Sequence, residues 1–283
     1  MVTRPAVVAR AEPAYAAPAP VPPAAPRPPA PALLRHALLP LSIVVALVLY
    51  YGARLPFAAA AGAALPLLLL HAFSASWARA SVARFDRDVV PLLMRRDPVR
   101  LNTRFNRAIG MRLFAAPAIV AERRGLVEAQ RGRHRAAREA YREALDGYGT
   151  GAPLAVLVGL AHACFELALT DEAIDAYEKV LARTKTLPLV QRNLAQAYLT
   201  RGTRDDAKAA RKLLERASAE AADAPSTARI YALQAWVEAI AGGRADARTL
   251  LDKSEVACAP DEDPALDQVR SRVREANDKR RAS

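Results

Sequence analysis

The chain has 283 residues, is rich in Ala, Arg and Leu, holds 6% aromatic residues and carries a net charge of +12. Ala, Leu and Arg favour helices, so this composition argues against a β-rich fold. Two cysteines, Cys164 and Cys258, lie far apart with no Cys-x-x-Cys spacing. They argue against a disulfide framework and read as small buried hydrophobes in a reducing compartment.

Residues 1–32 contain "RPAVVARAEPAYAAPAPVPPAAPRPPAPA". The segment is Pro/Ala-rich without an apolar period, so it is expected to be disordered with polyproline-like stretches. "PRPP" and "PAPVPP" could dock on an aromatic-lined groove. The plainer reading is a solvated tail.

From Ala37 to Phe73 the one charged residue is Arg54. A single membrane span needs about 20 apolar residues, and this run is nearly twice that. Gly52, Arg54 and Pro56 interrupt it with a turn, a charge and a helix start. The expectation is a transmembrane hairpin over residues 33–77, with helices at about 34–52 and 55–75. Tyr50, Tyr51 and Trp77 fall where interfacial aromatics belong, and Arg54 can snorkel to the far surface.

Charge sets the orientation. Residues 1–125 hold 16 basic and 5 acidic side chains, whereas residues 126–283 hold 25 and 24. The excess flanks the apolar run: Arg4, Arg10, Arg27 and Arg35 precede it, and Arg79, Arg84 and Arg87 follow. By the positive-inside rule both termini face the cytoplasm of a bacterial inner membrane. A nucleic-acid protein can also be this basic. Because the excess tracks the apolar run, no nucleic-acid partner is expected. A cleaved signal peptide would need a shorter core nearer the start, and a soluble buried hairpin seldom stays uncharged for so long.

Residues 78–116 form a basic helical linker. Leu101, Phe105 and Ile109 fall at i, i+4 and i+8, with Arg100, Arg104 and Arg107 around them. Two readings stand: a helix lying on anionic lipid, or a basic helix docked as a divergent first repeat.

The next 146 residues, 117–262, carry a repeat. Ala173, Tyr177 and Val180 occupy one helix face at i, i+4 and i+7. Ala137/Tyr141/Ala144, Ala210/Leu214/Ala217 and Ala247/Leu251/Ser254 repeat this small–large–small face 36 or 37 residues apart. Pro153, Pro188, Pro225 and Pro260 follow the four sets as closing prolines. An amphipathic helix precedes each set, at about 117–131, 154–168, 189–201 and 227–241, with Gly125, Ala161, Ala195 and Ala235 as its small residues. "GRHRAAREAYREALDGYG" and "TDEAIDAYEKVL" carry the pattern best, "LAQAYLTRGTRDDAKAARKLLERA" adds residues at its turn, and "ALQAWVEAIAGGRADARTLLDKS" lacks the aromatic. The pattern resembles the tetratricopeptide repeat, a helix–turn–helix of about 34 residues. The resemblance covers about 117–260. It implies an all-α solenoid of four hairpins, and "DPALDQVRSRVREANDKRRAS" (263–283) supplies a capping helix. Asp263 is its candidate N-cap, Pro264 its first turn, and Leu266, Val269 and Val273 its apolar stripe.

No phosphate-cradling Gly loop, nucleophile elbow or metal-spaced His/Cys cluster is present in the sequence. No cofactor, metal, small-molecule substrate or enzymatic activity is expected. The resemblance implies instead that the first helices line a groove for a protein or peptide. Carried over, Glu122, His162, Glu166, Arg192, Asn193, Gln196, Arg229 and Trp236 would face it. Arg192 and Gln196 share a helix face beside Asn193, reminiscent of a carboxylate clamp. Trp236 is the expected anchor. The resulting expectation is a membrane-anchored, non-catalytic scaffold or adaptor. The alternative is a subunit of a membrane transport or envelope-assembly complex whose hairpin makes the main contacts through small residues in "FAAAAGAAL".

Overall fold

The computed structural model describes residues 33–184, 187–220 and 223–279, and the Pro/Ala-rich segment 1–32 lies outside them. Among the described residues the chain is all-helical, with no strand. It divides into two compact units, one running to Ala163 and the other from Cys164 onward.

The first unit opens with an apolar hairpin. Helix α1 (Leu33–Leu47) runs into a π-helical turn at Val48–Gly52, and α2 (Phe57–Met94) returns beside it. At the bend Arg54 adopts φ 53°, and Tyr50 packs edge-on to Tyr51 and Phe57. The expected turn is therefore present, but α2 does not stop near residue 75. Its buried stripe continues through Ser74, Ala78, Ser81, Phe85, Val89 and Leu93. That three-to-four-residue spacing holds one helix face inward after the apolar composition ends. The boundary drawn at residue 77 thus falls inside a single helix.

Small residues form the seam of the hairpin. Ala60 and Ala64 are buried, and Ser42 and Ser74 turn their hydroxyls onto the carbonyls of Leu39 and His71 at 2.7 and 2.8 Å. Large apolar side chains point the other way: Ile43, Val44, Leu47, Leu65, Leu69 and Phe73 are all about half or more exposed. By length and composition α2 can cross a membrane, while His36–Gly52 is a shorter apolar helix.

Helix α3 (Pro98–Arg107) is capped by Asp97, whose carboxylate accepts from the Arg100 N–H at 2.9 Å. Leu101 and Phe105 are buried, and Phe105 meets Phe85 edge-on at 6.1 Å. Helix α3 packs against α2 and against α5 (Pro117–Gln130). The expected stripe breaks at Ala108, where ψ reaches 56°. Ile109 instead starts the short helix α4 (Ile109–Phe114), and its side chain is exposed. Gly110 lets α4 approach α2, since a Cβ there would lie 2.8 Å from the Trp77 indole.

Helices α5 and α6 (His134–Tyr148) form a hairpin, followed by α7 (Leu154–Glu166). Tyr141 of α6 fills the gap between its neighbours. A Cβ on Gly125 would come within 2.8 Å of its ring, and one on Gly159 within 2.3 Å.

The second unit contains α8 (Thr170–Arg183), α9 (Pro188–Arg201), α10 (Arg204–Ala219), α11 (Ala224–Ala241), α12 (Arg244–Ala257) and α13 (Pro264–Lys279). Pairs α8/α9, α9/α10, α10/α11 and α11/α12 pack in sequence, and α13 packs on α11. All four small–large–small sets are buried along their full length. Helices α9 and α11 are not amphipathic as expected. They are covered on most sides, whereas α10 buries one stripe (Asp206, Ala210, Leu214, Ala217) and exposes charges opposite it. The prolines also differ in role. Pro188 and Pro225 stand in the first turns of α9 and α11, so they open the next helix rather than close the last.

Turns between paired helices use a left-handed residue, Gly202 at φ 77° and Gly242 at φ 95°. In the α7–α8 turn Ala168 holds this conformation at φ 58°. At the C-terminus, Asp263 accepts from the Ala265 and Leu266 N–H groups, and Leu266, Val269 and Val273 are buried, as expected of the capping helix.

Candidate functional site

In the first unit, Glu122 is buried rather than open to a groove. Its carboxylate accepts from the Tyr148 hydroxyl at 2.7 Å and from Arg123 at 2.5 Å. Arg123 also donates two bonds to Asp86 on α2, at 3.1 and 2.9 Å. Burial disfavours the Arg123 cation, but Asp86 and Glu122 outweigh it and hold its pKa above the ordinary value. Burial, reinforced by Glu122, likewise pushes the Tyr148 phenol up. The four side chains bolt α2, α5 and α6 together. His162 lies half-buried on α7 with its ring edge-on to His134 at 6.3 Å.

In the second unit, the expected groove residues separate into core and surface. Arg192 is 4% exposed and reaches Ser226 on α11 at 3.4 Å. Asn193 hydrogen-bonds the phenol of the fully buried Tyr177, whose pKa is raised by burial with Glu166 and Arg192 also nearby. The structure therefore gathers Glu166, Arg192 and Asn193 around one tyrosine at the junction of α7, α8 and α9. Of these, Glu166 is exposed, and Asn193 and Gln196 keep part of their surface.

Arg229 is committed elsewhere. It donates to Asp263 at 2.8 and 2.5 Å, tying α11 to the cap of α13. The Arg229 charge helps hold the Asp263 carboxyl below its usual range, against the opposing effect of burial. Trp236 is 7% exposed within the core of the second unit, and the Arg272 guanidinium covers its ring at 5.6 Å. Trp236 and Arg192 are thus packing residues. Both stand on inner helices, α9 and α11, that pack against neighbours on either side.

The most constrained polar group went unnoticed in the sequence. Arg270 is 1% exposed. It donates to the Ser254 hydroxyl at 3.1 Å, to the Ser254 and Cys258 carbonyls at 2.6 Å each, and to Asp267 at 2.9 Å. It satisfies the Cys258 carbonyl just beyond the end of α12 and adds a second donor to the Ser254 carbonyl, which also accepts from the Cys258 N–H at 3.1 Å. Ser254 replaces the small apolar residue of the other sets because its hydroxyl accepts from this arginine.

Burial, with a bond to Glu262, pushes the Cys258 thiol up, the opposite of an activated nucleophile. Among the described residues no group of three or more His, Cys, Asp or Glu could hold a metal. The available chemistry is hydrogen bonding and charge at the α7–α9 surface. Compared with known proteins, the chain matches no family model, and no curated protein matches it.

Proposed function

We propose that this protein is a membrane-anchored, tetratricopeptide-like scaffold that binds a protein or peptide partner without catalysis. The carrying observation is the inverted hairpin: large apolar residues face out between 39 and 77, over a seam of alanine and serine. Water makes such a surface costly, whereas lipid solvates it. Leu33–Leu47 and the π turn to Gly52 give 15 and 5 residues, and the length matches a hydrocarbon core of about 30 Å. Phe57 to Trp77 gives a second stretch of the same length. This supports two spans, and the arginine flanks favour a bacterial cytoplasmic location for both termini.

The repeat reading is supported by the four buried small–large–small sets and by Tyr141 seated between Gly125 and Gly159. Such packing leaves each hairpin dependent on the next, which is how solenoid repeats gain stability. Recognition is assigned to Glu166, Asn193 and Gln196, which keep accessible surface in the second unit. The anchor concentrates that surface at the membrane.

A photo-crosslinking residue at Gln196, in the full-length membrane protein, tests this assignment against the same residue at Lys208 on α10. A defined adduct at 196 that is absent at 208, and is abolished by Glu166→Lys, is expected. Equal adducts at both positions, or none at 196, would overturn it. Loss of function on replacing the hairpin with an unrelated anchor, with the 196 adduct retained, would favour the membrane-complex alternative.

A further inference from the structure

Between α2 and α3 lies a cavity of about 90 Å³ lined by Ser81, Arg84, Phe85, Asp88, Arg104, Arg107 and Ala108. Three of these seven residues are arginines. Asp88 engages Arg104 at 3.1 Å. Among the described residues no carboxylate pairs with Arg84 or Arg107, and both are exposed at the cavity mouth. The site therefore carries two uncompensated guanidinium groups converging from two helices, with the Ser81 side chain on the α2 wall. The α3 cap at Asp97 and the Phe85–Phe105 contact fix these helices against one another, so the arginines are presented on a packed scaffold.

The height of the cavity along α2 gives the anion its source. The outward apolar belt ends at Phe73 and Trp77, which are 64% and 45% exposed. Ser81 follows one turn later, about 6 Å along the helix, and Arg84 follows at about 10 Å. The polar layer on each side of a bilayer is about 5 to 8 Å thick, so the Ser81 wall lies within it and Arg84 just beyond it, where a long guanidinium side chain reaches back to headgroup level. Guanidinium groups pair with phosphate oxygens through paired N–H donors.

We infer that Arg84, Arg104 and Arg107 form a binding site for the phosphate of an anionic phospholipid headgroup on the cytoplasmic side. This rests on the membrane reading above and adds a lipid selectivity to it. The site fixes the depth and rotation of α2, and hence the placement of the α3 face beside the membrane.

The test uses the full-length protein in uncharged detergent, titrated with short-chain phosphatidylglycerol, short-chain phosphatidylcholine and inorganic phosphate. Arg84→Gln/Arg107→Gln is compared with Arg95→Gln/Arg135→Gln, which removes the same charge elsewhere. Both variants must match wild type in elution volume and helical circular dichroism. The expected result is a preference for phosphatidylglycerol over phosphatidylcholine of at least about tenfold, lost in the first variant and kept in the second. Equal loss in both variants would reduce the effect to bulk charge and overturn the site. Inorganic phosphate displacing the lipid at comparable concentration would assign the arginines to a soluble anion and overturn the lipid source. Carbonate extraction of native membranes separates the two readings. Wild type released as soluble protein removes the membrane reading, whereas retained wild type without lipid preference removes the headgroup site alone.

Discussion

The apolar hairpin and the second unit are both built from packed helix pairs, yet they are turned inside out relative to each other. In the hairpin the buried residues are small apart from Leu38, as at Ala60 and Ala64, and the exposed ones include Ile43, Leu47, Leu65 and Phe73. In the second unit the buried residues include Tyr177, Leu214 and Leu233, and the exposed face of α10 carries charged side chains. Small residues bring helices close in both regions. What differs is the side on which the large apolar groups are solvated. The contrast teaches that helical pairing and choice of solvent are set separately, the first by the spacing of small residues and the second by where the large ones go.

Substitutions can break this contrast. The largest effect is expected at Tyr141, wedged between Gly125 and Gly159. Tyr141→Ala should cost about 3–5 kcal/mol, read as a lower unfolding midpoint in detergent. A cut of less than about 1 kcal/mol would mean that the tyrosine is not the filler of that gap. Next comes the outward face of α2: Leu68→Lys should raise the insertion cost by about 3 kcal/mol and lower the membrane fraction. Unchanged fractionation would remove Leu68 from the lipid surface. In the second unit, Arg270→Ala should cost about 3 kcal/mol, because it strips the Cys258 carbonyl and the Ser254 hydroxyl of their donor. Thermal unfolding of the purified chain measures this loss.

Two smaller effects sharpen the picture. The carboxyl of Asp206 bonds Arg201 and the Thr203 N–H, and the Arg201 guanidinium above all holds its pKa down to about 2. A carboxyl depressed on folding stabilises above its ordinary pKa, so this contribution is present at pH 4 and above and is lost as the pH falls toward 2. Asp206→Asn should flatten the stability profile in that window. Ala168 sits at φ 58° where Gly202 and Gly242 mark the corresponding turns. Ala168→Gly should therefore stabilise by about 1 kcal/mol, seen as a raised unfolding midpoint.

The repeat spacing was legible in the sequence because Ala, Tyr and Leu recur at fixed phase and nothing else competes for those faces. The capping helix was legible because Asp263 and Pro264 form a local signal. The extent of α2 was missed by following composition: the apolar run ends at Phe73, while the inward stripe continues to Leu93. The break at Ala108 has no Gly or Pro to announce it. The site was less legible than the fold. Arg192, Trp236 and Glu122 were carried to a groove from the family resemblance, and their burial depends on neighbours far along the chain that the resemblance does not supply. Arg270 looked like one more surface charge among several, since nothing local reveals that it caps α12.

The most direct test of the central claim, that the outward apolar face of the hairpin lies in lipid, is its topology. Ala53→Cys at the bend would be labelled with an impermeant maleimide in intact cells, against a background of buried native cysteines. A fluorescent-protein or alkaline-phosphatase fusion after Ser283 would report the other end. Labelling at 53 from the periplasmic side, with a cytoplasmic C-terminus retained in the membrane fraction, is the predicted result. A bend and C-terminus found on the same side, or a soluble chain, would contradict it.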